Sequence, residues 1–230
     1  MPAELLVCHL GQVEYRAAVA LQAELHAKVE SGELGDLLLL LEHPPVYTRG
    51  RRSEAAEIPM GEEWYRAQGI DVVRTDRGGK LTYHGPGQLV GYPIMRIVDV
   101  VAYLRTMEDA ITAALAEEGV VGGPFEGLTG VWVQDRKIGS IGVHVSRGVT
   151  THGFAINVDN DLQPFDWVVP CGLSGVRMTS LAVETGTRDA DTLRCFRKRM
   201  AHAFAQEHGR RQRLVTPERL GIAQPALAPA

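Results

Sequence analysis

Three stretches of this 230-residue chain hold residue types that could do covalent chemistry. In VVPCGLSG, residues 168–175, Cys171 stands between Pro170 and Gly172. The proline fixes the backbone before the thiol, and the glycine lets the chain turn sharply after it. A cysteine in such a turn is presented rather than sunk in a regular element. It is either a small apolar filler or a nucleophile. In RGGKLTYHGPGQLVGY, residues 77–92, five glycines run through strand-like sequence. Glycine weakens a strand, so its presence points to something approaching the backbone closely. Gly78 and Gly79 would bare the main chain beside a groove, with Thr82, Tyr83 and His84 adding polar groups. The competing reading is a glycine-loosened hairpin with a core histidine. In RKIGSIGVHVSRGVTTHGFAINV, residues 136–158, Gly139, Ser140, Gly142 and Gly153 keep side chains off a strand surface. An elongated apolar substrate could lie on that floor. Lys137 opens this strand, and an exposed hairpin lysine is its plainer reading. His84, His144 and His152 lack HxH or HExxH spacing and no CxxC is present, so no metal is expected.

The elements that must position these residues follow from periodicity. Residues 13–30 form a helix with Leu21, Leu25 and Val29 on one face, stopped at Gly32. Five leucines at 37–41 read as a strand buried on both faces, ended by His43-Pro44-Pro45. A short helix closed by Gly69 precedes the strand IDVVRT. KLTYH and QLVGYPIM are further strands separated by Gly85-Pro86-Gly87. A helix over about 99–118 carries Leu104, Met107, Ile111 and Leu115 on its apolar stripe. A hairpin turning at Asp135-Arg136 and the strand TTHGFAINV follow. Thr179 or Ser180 caps a short helix through Leu181 and Val183. The last helix, about 190–208, buries Leu193, Phe196, Met200 and Phe204. Strands come in runs with helices between the runs, which predicts an α+β fold with a mixed β-sheet flanked by helices. One catalytic domain over 1–213 is expected, with a flexible tail over 214–230.

Composition narrows the class. A hydrophobic content of 45% and a charged content of 23% are those of an ordinary soluble protein. A net charge of −4 gives no reason to expect nucleic acid. No apolar run reaches the ~20 residues that span a bilayer, and the N-terminus lacks the build of a signal peptide. Three scattered cysteines form no disulfide framework, so a reduced, cytoplasmic protein is expected. Arg49, Arg51 and Arg52, then Arg194, Arg197, Lys198 and Arg199, then Arg210, Arg211 and Arg213, are either solvated faces or docking sites for acidic partners.

Taken together and in order, the three stretches closely resemble the lipoyl(octanoyl) transferases over about residues 5–205. The first signature is carried by Arg77, Gly78, Gly79, Thr82, Tyr83, His84, Gly87, Gln88, Val90 and Tyr92. The second is carried by Lys137, Ile138, Ile141, Gly142 and Val143, and the next strand by His152, Gly153, Ala155, Asn157 and Val158. The third is Pro170, Cys171 and Gly172, followed by Thr179, Ser180 and Leu181. The resemblance implies the fold of biotin and lipoate protein ligases and transfer of an octanoyl group. The donor would be octanoyl-acyl carrier protein. The acceptor would be a lysine of lipoyl domains in 2-oxoacid dehydrogenase complexes and the glycine cleavage H protein. Cys171 would be the catalytic nucleophile and Lys137 the residue that activates it. Arg77, Gly78, Gly79, Lys80, Leu81, Thr82, Tyr83, His84, Ser140, Ile141, Gly142, Gly153, Phe154 and Ala155 would line the substrate site. No cofactor, metal, nucleic acid or membrane is expected, and a monomer is.

The chain departs from that pattern at Gly139-Ser140, where small apolar pairs are common, and at Arg49, where an uncharged residue usually precedes Gly50. The rival readings are an ATP-dependent lipoate or biotin ligase, a non-catalytic acyl-binding protein, and a Cys–His hydrolase using His84 or His152. Lys80 stands where the ligase segment has a third glycine, and an adenylating ligase has no need of Cys171.

Overall fold

The computed structural model describes residues 3–169, 175–189 and 191–223. Strand β1 (Glu4–Gln12) leads into helix α1 (Tyr15–Ser31), which stops where Gly32 takes a left-handed conformation at φ 82°. Then come β2 (Leu37–Glu42), β3 (Val46–Arg49), α2 (Glu62–Ala67), β4 (Asp71–Arg74), β5 (Leu81–His84) and β6 (Gln88–Ile94). Helix α3 (Val100–Ala116) begins at Asp99, whose carboxylate accepts from the amides of Val101 and Ala102. Strands β7 (Gly123–Phe125), β8 (Leu128–Val133), β9 (Arg136–Ser146) and β10 (Val149–Asn157) follow. Helix α4 (Gln163–Asp166), strand β11 (Arg177–Met178), helices α5 (Leu181–Thr185) and α6 (Thr192–Glu207), and strand β12 (Arg211–Leu214) complete the order.

Among the described residues the main sheet runs β12-β1-β2-β6-β10-β9-β8-β7, and a three-stranded sheet runs β4-β3-β5. The main sheet is mixed: β1 is parallel to β2 and β12, whereas the pairs from β2 to β7 are antiparallel. The mixed sheet flanked by helices is the one expected. The leucine run shows why it forms. Leu38 and Leu40 enter the core under α3 and α6, while Leu37, Leu39 and Leu41 enter the core under α1. A period of two thus feeds both faces of one strand. Each fully buried leucine contributes roughly 1.5–3 kcal/mol.

Several expectations shift in detail. KLTYH and QLVGYPIM do not pair with each other: β5 pairs with β3 in the small sheet, and β6 lies between β2 and β10 in the large one. The Gly85–Gly87 link therefore crosses between sheets. The β8–β9 hairpin turns at Gln134-Asp135, one residue early, with Gln134 at φ 56°. Helix α3 buries Met107, Ile111 and Leu115 as expected, but Leu104 stays outside that core. The packed chain also extends past residue 213, since the Val215 amide donates to the Val7 carbonyl and Leu220 and Ile222 are buried. Most of the basic clusters face acids of the same chain. Arg49 meets Glu62, Arg194 meets Asp191, Arg199 meets Glu118, Arg210 meets Asp36, and Arg211 and Arg213 meet Glu4.

The glycines of the central strands have packing reasons. A Cβ on Gly153 would lie 2.3 Å from the Gly91 carbonyl oxygen and 2.4 Å from Pro93 Cδ. A Cβ on Gly91 would enter the Phe154 ring. Gly153→Ala should therefore cost about 2 kcal/mol or more in urea unfolding, whereas Gly35→Ala, with no atom within 4 Å of the new methyl, should stay within about 0.5 kcal/mol of the parent. Equal midpoints for the two variants would refute this account of the strand.

Candidate active site

A groove of about 530 Å³ runs along β9 and β10 and beneath the 77–82 segment. Of the residues singled out in the sequence, Arg77, Gly78, Gly79, Lys80, Leu81, Thr82, His84, Lys137, Ser140, Ile141, Gly142, Gly153, Phe154 and Ala155 all border it. Tyr83 does not. Strand alternation turns it to the other face of β5, where its ring packs on Tyr47 and Phe165. Cys171 lies outside the described residues. Tyr15, Leu128 and Thr129 also border the groove and carry no local sequence signal, while Arg52, from the first basic cluster, and Leu104, from the apolar stripe of α3, border it too although the sequence points neither of them at a groove. Tyr92, Val143 and His152 border it as well, and they do belong to the sequence signatures.

The 77–80 segment is fixed by main-chain contact on two sides. The Gly78 amide donates to the Val143 carbonyl at 2.9 Å, and the amides of Arg51 and Arg52 donate to the carbonyls of Arg77 and Gly79. A Cβ on Gly142 would lie 2.8 Å from the Gly78 carbonyl oxygen. Gly142 is thus small because the crossing backbone touches it, a tighter demand than the open floor that the sequence suggests.

Arg77 is buried, and its guanidinium grips Thr48 of β3 through the side-chain oxygen at 2.8 Å and the carbonyl at 2.6 Å. From Thr48 a buried chain of hydrogen bonds crosses the molecule. The Thr48 hydroxyl faces His84 Nε2 at 3.4 Å, and His84 Nδ1 donates to Gln88 Oε1 at 2.7 Å. Gln88 Nε2 donates to Asn157 Oδ1 at 2.9 Å, and Asn157 Nδ2 donates to the Thr179 carbonyl at 2.9 Å. The Thr179 amide then donates to the carbonyl of Lys137 at 2.9 Å. Beside this chain, His43 Nδ1 donates to the Val13 carbonyl and its Nε2 accepts from the Tyr92 hydroxyl, each at 2.6 Å.

Lys137 is 4% exposed although it opens its strand. Its Nζ donates to the Thr129 carbonyl at 3.2 Å and lies 5.3 Å from the centroid of the Trp132 ring. Strand β11 pairs Met178 with Lys137 in parallel register. At the far end of the groove, His152 holds φ 58°, a strained value for a residue with a side chain. Its amide donates to Gln22 Oε1 at 2.6 Å and its Nε2 meets Asp76 at 2.8 Å. His144 reaches the same carboxylate at 3.6 Å.

The model of the family described as the lipoyl protein ligase A/B catalytic domain matches residues 14–205. The chain belongs to that family. A protein named octanoyltransferase from Salinispora tropica is 48% identical over 192 residues, covering 80% of this chain and 87% of its own length. Among solved structures, one of a bi-partite lipoate protein ligase and its E2 lipoyl domain from Thermoplasma acidophilum superposes with a TM-score of 0.70 at 20% identity, covering 96% of this chain and 90% of that one. A biotin protein ligase from Aquifex aeolicus reaches 0.50 at 12% identity, covering 90% and 71%. At these identities the structural likeness speaks for the fold, and the fold is the ligase-type one that the sequence implied.

Burial holds His43 and His84 neutral. His43 is pushed down to about 4 and His84 well below the ordinary 6.5. The unfolded chain takes up these protons as pH falls through about 6.5, so between there and about 4 it binds more protons than the native state and stability falls with pH. Asp76 is held down to about 2, first by its hydrogen bond from His152, and so stays ionised through this window. Urea unfolding free energy should drop by up to ~1.4 kcal/mol per pH unit per buried histidine. Stability unchanged between about pH 7 and about pH 5 would contradict this.

Proposed function

We propose that this acyltransferase moves an octanoyl group from octanoyl-acyl carrier protein to a lysine of lipoyl domains, through a thioester on Cys171. The likeness to octanoyltransferases over most of both chains carries the reading. Two features of the site support it. One part of the groove lining, Ser140, Ile141, Gly142, Phe154 and Ala155, is made of small and apolar residues, which suits an alkyl chain held by burial at roughly 0.8 kcal/mol per CH₂. Lys137 borders the groove, and the pairing of Met178 with Lys137 fixes beside it a point seven residues along the chain from Cys171.

A free thiol with a pKa near ~8.5 is only a few per cent ionised at neutral pH, and a neighbouring ammonium favours the thiolate. In the first half-reaction Cys171 Sγ attacks the thioester carbonyl. The new C–S bond forms, the carrier's C–S bond breaks, and the departing thiolate takes a proton from the Lys137 ammonium. In the second, the acceptor amine attacks the acyl-enzyme. A C–N bond forms, the bond to Cys171 breaks, and Lys137 takes the amine proton. The dyad returns to its starting protonation. Exchange between thioesters is nearly balanced and thioester to amide runs downhill, so no nucleotide is consumed.

Incubation with octanoyl-acyl carrier protein should add one octanoyl mass to the wild type in an intact-mass spectrum, and Cys171→Ser should show no thioester. An adduct that persists in the variant would place the nucleophile elsewhere. Lys137→Arg keeps a cation but loses a usable base, and should slow transfer to a lipoyl domain by about 10²-fold or more. A wild-type rate in that variant would remove Lys137 from proton transfer. Octanoate-dependent exchange of pyrophosphate into ATP should be absent, and its presence would favour the ligase reading.

A further inference from the structure

We infer that Glu108 of α3 is a positioning residue for Lys137, acting through a single peptide unit. This rests on the role proposed above for Lys137. Glu108 is 1% exposed, an uncommon place for a carboxylate. Its Oε1 accepts the Gly130 amide at 2.8 Å and its Oε2 accepts Arg105 at 2.6 Å. The Gly130 N–H and the Thr129 C=O belong to one planar peptide group. The carbonyl of that same group accepts the Lys137 ammonium at 3.2 Å. The carboxylate therefore grips one end of a rigid plate and the ammonium sits on the other.

The surroundings explain why the plate needs holding. Gly130 takes φ 121°, and a Cβ there would lie 2.9 Å from Lys137 Cε and 2.5 Å from the Gly139 carbonyl oxygen. The β8–β9 register also breaks between Val131 and Trp132. The backbone here leaves ordinary ladder geometry so that the lysine can fold across it, and the ladder alone no longer fixes the Thr129 carbonyl. Glu108 supplies the missing restraint from the helix. A hydrogen bond to an ionised acceptor also strengthens the acceptor at the far end of the same amide. Other charged groups lie nearby. Arg105 shares the carboxylate, and on the β9 side Arg136 pairs with Glu184 at 3.0 Å.

The test compares Glu108→Gln with Glu108→Met in steady-state transfer from octanoyl-acyl carrier protein to a lipoyl domain. Glutamine keeps an oxygen that accepts the Gly130 amide, while methionine keeps the volume and loses the acceptor. Glu108→Gln should retain kcat within about threefold of the wild type, and Glu108→Met should lose about ten- to a hundredfold in kcat with KM for the donor within about threefold. A merely structural role would instead lower the amount of folded enzyme and leave kcat per folded molecule alone. A folded, fully active Glu108→Met variant overturns the inference. So does a folded Glu108→Gln variant reduced more than a hundredfold, a result that stands even if the methionine variant does not fold. A wild type that transfers no octanoyl group overturns the parent reading and this one with it, whereas a fully active Glu108→Met beside an active wild type overturns only the role of Glu108.

Discussion

A buried amide side chain, Gln88, joins the two halves of this molecule. Its oxygen accepts from His84 in the small sheet's β5, and its nitrogen donates to Asn157 at the end of β10 in the large sheet. Neither bond exchanges readily with water, because Gln88, His84 and Asn157 are all buried. Burying so many polar groups is favourable only when every link is made. The demand propagates from there. Arg77 must reach Thr48, Thr48 must face His84, and Thr179 must lie between Asn157 and Lys137. Residues far apart in sequence are thereby tied into one geometry, and the groove forms between their two ends.

The parts of the fold that are legible in the sequence are those with a strong internal period. The leucine run of β2 and the apolar stripes of α1, α3 and α6 identify themselves because burial selects side chains at fixed spacing. Strands β1, β3, β11 and β12 do not. β3 is four residues long and β11 is two, and they exist because a partner strand offers hydrogen bonds. Pairing of that kind depends on neighbours distant in the chain, as with Met178 beside Lys137. The sheet membership of β5 and β6 is hidden for the same reason, since a glycine link reads alike whether it reverses a hairpin or crosses between sheets.

The site divides along a similar line. Its glycines stand out because they are odd inside strands, whereas Lys137 reads by itself as an exposed hairpin lysine and is picked out only by the family resemblance, its burial being set by the fold. Tyr15, Leu104 and Thr129 reach the groove from elements whose own sequence gives no hint of it. Leu104 fits the apolar stripe of α3 by spacing, yet it sits on the edge that faces the groove. Tyr83 errs the other way, lying inside a signature while its side chain serves the aromatic cluster behind β5. A run of consecutive strand residues cannot all face one ligand, and alternation selects which do.

The latch between the Gly78 amide and the Val143 carbonyl has a consequence for selectivity. It is main chain to main chain, backed by a Gly142 that admits no larger residue without displacing the Gly78 carbonyl. The roof and floor of the groove are therefore hydrogen-bonded into one mould rather than standing as two separate plates. A guest that is too bulky meets stiffness, and a guest that is too slender leaves voids that the walls do not follow inward to fill. Discrimination in such a container is set by the shape cast at folding, before any substrate arrives.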